Sequence, residues 1–288
     1  MNSDEIGVSV PRLKEGGVAT QVLAMYAGTE SGSTEKGTLS YFTSLGYYYE
    51  DALYNNNDFD RINFRANLDT KISESIKLTS DFSGNFETRK RPGIGASSLF
   101  SGLMRTPPTE VNQYSNGGYS SFSRYPPING DGYSKSENFD FQSKIALIIN
   151  FPFIKGLNLT TQVAYDRATF RNKSFSVPTT YTTFDPATNE FSLSTPGDRG
   201  EKASLSESQS QGYKLVTEAI LGYDRTFGKH DLGAKLVYSR TVTENNNLTA
   251  GISNILGTTV DFFIAGDAET RSISNGTFET GILGYAGR

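Results

Sequence analysis

Hydrophobic and polar residues alternate strictly along residues 61–72, RINFRANLDTKI. Because successive side chains of a β-strand point to opposite faces, this pattern predicts a strand with one apolar face and one charged face. The alternation resumes over residues 76–87 after the short connection Ser-Glu-Ser at 73–75. Two alternating segments joined by a tight turn predict a β-hairpin.

The same unit repeats along the chain. Further strands are predicted at residues 20–29, 38–50, 138–151, 157–167, 213–223 and 232–243, with the start of a ninth strand at 282–288. Short connections (73–75, 152–156 and 226–231) alternate with long, irregular stretches (88–137, 168–211 and 244–279). This alternation is typical of outer-membrane β-barrels, which have short periplasmic turns and long extracellular loops. The predicted strands of about 11–14 residues exceed the roughly ten that a tilted strand needs to cross an apolar band.

Composition agrees with a β-rich protein and excludes several classes. Hydrophobic residues make up 36% of the 288 residues and no long apolar run is present, so helical membrane spans are not expected. The net charge of −4 has no basic block, which argues against a nucleic-acid partner. With no cysteine, the chain forms neither disulfides nor thiolate metal sites.

The two ends suggest a piece of a longer protein. The first residues, MNSDEIGVSVPRLKEGG, do not form a signal peptide, which an outer-membrane barrel requires. The last ten, ETGILGYAGR, have the pattern of a strand with no turn after it. We therefore expect residues 1–288 to be part of one barrel domain, with the signal peptide, plug and remaining strands outside this sequence.

Several stretches, taken together and in order, resemble the SusC/RagA family of TonB-linked outer-membrane transporters. They are YFTSLGYYYEDALYNNNDFDRINFRANLDTKI, LMRTPP, INFPFIKGLNL, LGYDRTFGKHDL and the terminal GYAGR. The resemblance covers nearly the whole chain from about residue 24 onward. It implies a plugged outer-membrane barrel of about 22 strands, embedded in lipid and lidded by a SusD-like surface lipoprotein. It also implies import of oligosaccharides or peptides, driven by a TonB complex that contacts segments upstream of Met1. The alternative is an outer-membrane binding or adhesion barrel without active transport.

Two groups of residues are candidates for binding. The first is a polar row that we expect to line the concave lumen and to contact a plug or water, while the apolar rows face lipid: Arg61, Asn63, Arg65, Asn67, Asp69, Lys77 and Asp81. The second is a set of aromatic and polar residues in the first long loop, suited to stacking on sugars or binding peptides: Arg105, Tyr114, Tyr119, Phe122, Tyr125 and Tyr133. Packing of this loop on itself, or on a lid protein, explains the second set equally well.

Catalytic and cofactor sites are not expected. His230 is the sole histidine and lies in a hairpin turn without the nucleophile that a hydrolytic triad needs. The glycine-rich segment 91–98 lacks the spacing of a phosphate-binding loop, and 129–132 lacks the full ligand set of a calcium loop. We therefore expect no enzymatic activity, no metal and no cofactor.

Overall fold

The computed structural model describes residues 18–23 (backbone only), 39–52, 54–194 and 202–287. Nine strands form one antiparallel sheet: β1 (Val18–Leu23), β2 (Leu39–Asp51), β3 (Asp58–Ser73), β4 (Ile76–Pro92), β5 (Tyr133–Asn150), β6 (Leu157–Ser176), β9 (Ala203–Phe227), β10 (His230–Ile255) and β11 (Ser272–Gly287). The strands β7 (Tyr181–Asp185) and β8 (Glu190–Ser194) form a separate small hairpin. Two helices, α1 (Ala96–Arg105) and α2 (Tyr125–Asn129), and two 3₁₀ turns (Phe263–Ala265 and Ala268–Thr270) lie in the connections.

The predicted all-β fold is confirmed. Each strand of the large sheet pairs with its neighbour in chain order, apart from the β7–β8 hairpin inserted between β6 and β9. The sheet is therefore a meander that is not closed, because among the described residues β1 and β11 each pair with a single strand. No helix in the described parts of the chain is long and apolar enough to cross a membrane.

Several strand boundaries were predicted too short. β6 continues to Ser176, β9 already begins at Ala203 and β10 continues to Ile255. The ninth strand is a full strand that begins at Ser272 and not a stub from residue 282. These extensions carry polar residues on both faces, so they lose the apolar alternation while the backbone ladder continues. Of the strand predicted at 20–29, the part up to Leu23 lies in β1 and the rest lies outside the described residues.

The stretches predicted to be irregular contain regular elements. α1 places Leu99 and Leu103 one turn apart on the helix, and Leu99 is buried at 3% exposure. α2 has proline at its first positions, where the missing N–H costs no helical hydrogen bond. The second long stretch includes the β7–β8 hairpin, which hydrogen-bonds to the first loop through the amide of Thr182 and the carbonyl of Tyr119 (2.7 Å).

The long described connections lie at one end of the sheet, together with one connection of six residues. Residues 74–75, 151–156 and 228–229 connect the hairpins at the opposite end, which we call the short-turn end. Gly228 has a φ of +63°, which suits the first central position of a two-residue hairpin turn. At the other end, the loop end, lie residues 52, 54–57, 93–132, 177–194, 202 and 256–271. The hairpin turns and the long loops are thus at the ends that the alternation predicts, and the short connection between β2 and β3 lies with the long loops.

The strand registers separate the two faces of the sheet. One face, the apolar face, carries the hydrophobic residues of adjacent strands in continuous rows; one row contains Ile62, Phe86 and Phe139. Gly84 leaves room for the rings of Phe64 and Phe141 to approach to 6.4 Å, since a Cβ at Gly84 would lie 2.6 Å from Phe64. Most of these large side chains are exposed, as expected for a face that is not covered by protein.

A small hydrophobic core lies at the loop end of the apolar face. Phe175, Leu205 and Ile252 are neighbours on β6, β9 and β10, and each is about 2% exposed. Residues 256–271 fold over this core and contribute Phe263 and Ala265 to it. Buried hydrophobic side chains are otherwise few among the described residues. The sheet therefore depends mainly on its backbone ladders, with one well-packed cluster at the loop end.

Candidate functional site

The opposite face of the sheet, the polar face, contains the predicted polar row. By register, all seven residues of that row lie on this face: Arg61, Asn63, Arg65, Asn67, Asp69, Lys77 and Asp81. Lys77 Nζ lies 2.9 Å from an Asp69 carboxylate oxygen, and Arg65 Nε donates to Asn67 Oδ1 over 3.2 Å. The guanidinium of Arg61 lies 5.6 Å from the ring centre of Tyr48. These side chains make a hydrated, hydrogen-bonding surface, and their contact with a plug stays a prediction.

The predicted loop residues do not converge on one site. Tyr114 packs against Phe184 and Phe191 of the β7–β8 hairpin, with ring centres 6.5 and 5.6 Å apart. Tyr119 stacks on Tyr125 at 4.9 Å with the rings nearly parallel. These rings therefore pack within the connections at the loop end, which we call the loop layer.

Arg105, Phe122 and Tyr133, the remaining members of that set, lie in different segments of the fold. Tyr133 lies on β5, where its ring contacts Phe175, and Arg105 ends α1 as an exposed side chain. Phe122 and Tyr125 are more than one-third exposed, at 37% and 53%. Binding of a ligand by this set stays a prediction.

A second group, which the sequence reasoning missed, lies at the loop end of the polar face. Phe59, Arg89, Arg91, Phe170 and Asn172 line a cavity of about 390 Å³, here called the mouth cavity. The Arg89 guanidinium lies 4.8 Å from the centre of the Phe59 ring, a cation–π contact. A neighbouring cavity of about 400 Å³ shares Phe59 and both arginines. With the Glu87 carboxylate also in the lining, the two guanidinium groups leave one net positive charge beside two aromatic rings, which suits an anionic group next to an apolar one.

The signal for this group was present in the sequence. The two-residue period of β4 continues through Glu87, Arg89 and Arg91 on one face, with Lys90 on the other. Because the apolar partners end at Phe86, the alternation alone predicts that this segment belongs to the irregular stretch 88–137. Charged residues in a continuing two-residue period would have extended the strand and placed both arginines on the polar face.

A third cavity lies among the loops. Its volume is about 420 Å³, and Ser98, Arg124, Asp131, Tyr181 and Thr258 are among its lining residues. Arg124 packs against α1, since a Cβ at Gly102 would lie 2.3 Å from Arg124 Nε. This nitrogen is buried and has no hydrogen-bond acceptor among the described residues. Chain segments from three connections meet here, so the loop layer is a packed unit.

An ion pair fastens the last connection to the sheet. Lys173 Nζ lies 2.8 Å from Asp261 Oδ2 and 3.7 Å from a Glu207 oxygen, and the Tyr133 hydroxyl donates to Asp261. These hydrogen bonds, first from Lys173 and then from Tyr133, hold the pKa of Asp261 below its ordinary value. Burial opposes the charge of Lys173, but the bond to Asp261 and the nearby negative charges raise its pKa overall.

We expect Asp261→Asn to loosen residues 256–271 by about 1 kcal/mol, because the ion pair is only partly buried. The lowered pKa of Asp261 means that its contribution is complete above the ordinary carboxyl pKa and is lost as the pH falls through the lower, folded value. The raised pKa of Lys173 means that its contribution is lost only as the pH rises through a value above 10.5. Amide hydrogen exchange of this segment in the complete protein measures the effect.

Glu269→Gln is the matched control for this experiment, because Glu269 is an exposed acid in the same segment. Equal protection of residues 256–271 in wild type and Asp261→Asn at neutral pH would contradict the fastening role. So would an effect of Glu269→Gln as large as that of Asp261→Asn.

His230 and the acidic side chains are the remaining candidates for catalysis and metal binding. His230 is the first residue of β10, beside the hairpin turn. No group of three or more His, Cys, Asp or Glu side chains that could hold a metal ion occurs in the described ranges.

Known proteins were compared at the levels of sequence and structure. No family model matches the sequence, and no curated protein matches it. Solved structures do match: the RagAB peptide importer in the closed-closed state has a TM-score of 0.66 at 19% identity, over 88% of this chain and 28% of that one. The RagAB peptide transporter and the open-open state of the importer each give 0.65 at 19% identity. This chain has the fold of part of these transporter chains. It spans about 28% of their length, over 88–89% of its own.

Proposed function

We propose that this chain forms part of the wall of an outer-membrane TonB-dependent transporter that imports oligomeric nutrients into the periplasm, without catalysing a reaction. The observation that carries the proposal is the separation of the two faces over many adjacent strands. A continuous, exposed apolar face lies opposite a polar, hydrogen-bonded face. A sheet of this kind is expected where one side contacts lipid and the other a water-filled lumen.

The height of the apolar face supports a membrane location. On β4 the apolar run extends from Ile76 to Phe86, and a tilted strand rises about 2.5 Å per residue along the membrane normal. The run therefore spans about 25 Å, the height of the apolar band of outer-membrane barrels.

The upper edge of this band also descends across the sheet. Strand pairing aligns Phe86 on β4 with Thr169 on β6 and with Asn246 on β10. The apolar runs on these two strands, which include Thr161 on β6, already end at Tyr165 and Tyr238, nearer the short-turn end. This displacement is the one expected if the strands are tilted with respect to the membrane.

The complete transporter would need partners that act outside this chain. The fold neighbours are RagAB complexes, which supports a SusD-like surface lipoprotein as the partner at the loop end. Coupling to a TonB complex would use segments upstream of this sequence. In this arrangement the polar face, including Arg65 and Asp69, contacts the plug or the water of the lumen.

Peptides are the substrate class that we favour over neutral glycans. The mouth cavity carries Arg89 and Arg91, which have no ion pair among the described residues, beside the rings of Phe59 and Phe170. Guanidinium groups bind carboxylates through charge-assisted, often bidentate hydrogen bonds, and aromatic rings bind apolar side chains. A peptide supplies both kinds of group, whereas a neutral glycan has no carboxylate.

We expect the double variant Arg89→Gln/Arg91→Gln to reduce uptake of acidic peptides about tenfold or more, because two charged contacts to carboxylates are lost. Uptake of a labelled acidic peptide by cells that express the complete protein measures this. Lys90→Gln is the matched control, since Lys90 lies between the arginines on the opposite face. Unchanged uptake in the double variant would contradict peptide recognition at the mouth cavity.

The same cells distinguish transport from adhesion. A transporter accumulates the labelled peptide inside the cell, and this accumulation stops when the proton-motive force is dissipated. Binding at the cell surface that is insensitive to this treatment would instead favour the adhesion barrel.

A further inference from the structure

A shallow cavity of about 180 Å³ lies on the apolar face, immediately above the apolar band. Its lining residues come from β6, β9 and β10: Tyr165, Arg167, Gln211, Gly212, Tyr213, Glu244 and Asn246. By register, Tyr165, Arg167 and Tyr213 point to the same face as Leu159 and Leu221. The cavity is therefore on the side opposite the polar face and its mouth cavity.

Two tyrosine rings form one wall of this cavity. Tyr165 and Tyr213 are stacked, with ring centres 6.0 Å apart and planes inclined by 26°. Tyrosine is the residue type that commonly lies at the boundary between hydrocarbon and water, because its ring is apolar and its hydroxyl is polar. The pair marks the upper edge of the apolar band at β6 and β9.

Arg167 is the cation of this cavity, and it has no ion pair or hydrogen bond with any other described residue. The nearest acid in its row is Glu244, two strands away, with Tyr213 between them. Glu244 accepts from Asn246 Nδ2 over 2.7 Å and from the Tyr213 hydroxyl. The Arg167 guanidinium is thus exposed and lacks a counterion, whereas the Glu244 carboxylate is hydrogen-bonded to Asn246 and Tyr213.

We propose that this cavity binds the phosphorylated sugar headgroup of a glycolipid in the outer leaflet of the membrane. The inference rests on the proposed membrane location. Arg167 supplies the donors for the phosphate, the stacked tyrosines supply an aromatic surface for the sugar, and Gln211 and Asn246 supply amides for hydroxyl groups.

The height of this cavity relative to the proposed membrane favours a lipid over a soluble ligand. Arg167 lies two residues above Tyr165, or about 5 Å above the end of the apolar run. The headgroup region extends about 5–8 Å beyond the hydrocarbon on each side, so the guanidinium lies at headgroup depth. β10 repeats the arrangement, with Arg240 two residues above Tyr238 and no ion pair among the described residues.

The test uses the complete protein in phosphatidylcholine vesicles and compares three additions: monophosphorylated lipid A, the same lipid without its phosphate, and inorganic phosphate. We expect only the phosphorylated lipid to raise the melting temperature, by several degrees. Arg167→Gln is expected to weaken this lipid's apparent affinity about tenfold. Lys214→Gln, which removes a cation from the polar face of β9, is expected to leave the affinity unchanged.

Three outcomes would overturn the inference: equal effects of both lipids, an equal effect of inorganic phosphate, or full binding by Arg167→Gln. Leu68→Cys and Asn67→Cys, each labelled with an environment-sensitive dye, separate this result from a failure of the proposed function; residues 1–288 contain no other cysteine that the dye could label. A lipid-like dye signal at position 68 but not at position 67 supports the membrane location even if the phosphate of the lipid has no effect. A water-like signal at both positions would remove the proposed function together with the inference.

Discussion

Replacing Leu68 by arginine in the complete protein is expected to destabilise it in lipid by about 2–4 kcal/mol. Leu68 lies near the middle of the apolar run of β3 and points to the apolar face, where it is 37% exposed. If that face contacts hydrocarbon, a guanidinium at this height loses its hydration and has no counterion. Denaturant unfolding of the protein in vesicles measures the change.

Asn67→Arg is the matched control, because Asn67 is the preceding residue and points to the polar face. We expect a change within about 0.5 kcal/mol there, as is usual for hydrated surface positions. The difference between the two variants isolates the effect of the face from the effect of adding an arginine. Equal, small effects at both positions would contradict contact between the apolar face and lipid.

Expressed by itself, the 288-residue chain is expected to aggregate or to associate with itself. β1 and β11 are the outer strands of the described sheet and present unpaired N–H and C=O groups along one side. In hydrocarbon each such group costs several kcal/mol, and in water an open edge beside an exposed apolar face is a template for further pairing. Size-exclusion chromatography with light scattering, with and without detergent, measures the state.

The edge strand β11 provides the corresponding variant. Phe278 and Ile282 are exposed on it, and lysine at both positions blunts an open edge with charge. We expect this double variant to reduce self-association of the isolated chain. A soluble monomer that unfolds cooperatively without detergent, for the unmodified chain, would show that the open edges do not govern its behaviour.

The strand order, the hairpins and the two faces could be predicted from the sequence because they depend on local alternation. Wherever one face is apolar, a shift of one residue would move every side chain to the wrong face, so the pattern specifies the register. The alternation therefore predicts that Arg65 and Asn67 share one face of β3, and the register places both on the polar face. The strand ends could not be predicted in this way, because above Phe86 both faces of β4 are polar and no alternation marks the ladder.

For the candidate sites, too, the sequence predicts the residue types but not which residues contact one another. Tyr114 and Tyr119 have aromatic rings suited to ligand binding. Their rings instead pack against Phe184, Phe191 and Tyr125 within the loop layer. Composition alone cannot distinguish an aromatic ring that packs from one that binds, because the same ring serves for both. The mouth cavity was missed for two reasons. The two-residue period of β4 loses its apolar partners before Arg89 and Arg91, and the other lining residues, such as Phe59 and Phe170, come from strands far apart in sequence.

The sequence by itself determined the all-β class, the meander and the face on which each residue of the alternating segments lies, since these follow from a two-residue period and from turns between neighbours. Only the tertiary structure decided which residues of distant segments meet. It packed residues 256–271 over Phe175 and Leu205 through Lys173 and Asp261, and it brought Arg167 of β6 beside Tyr213 of β9. The first contact depends on ladder extensions and loop packing, in which no local pattern specifies the partner. The second depends on the pairing of β6 with β9 across a long connection, which alternation within each strand does not specify.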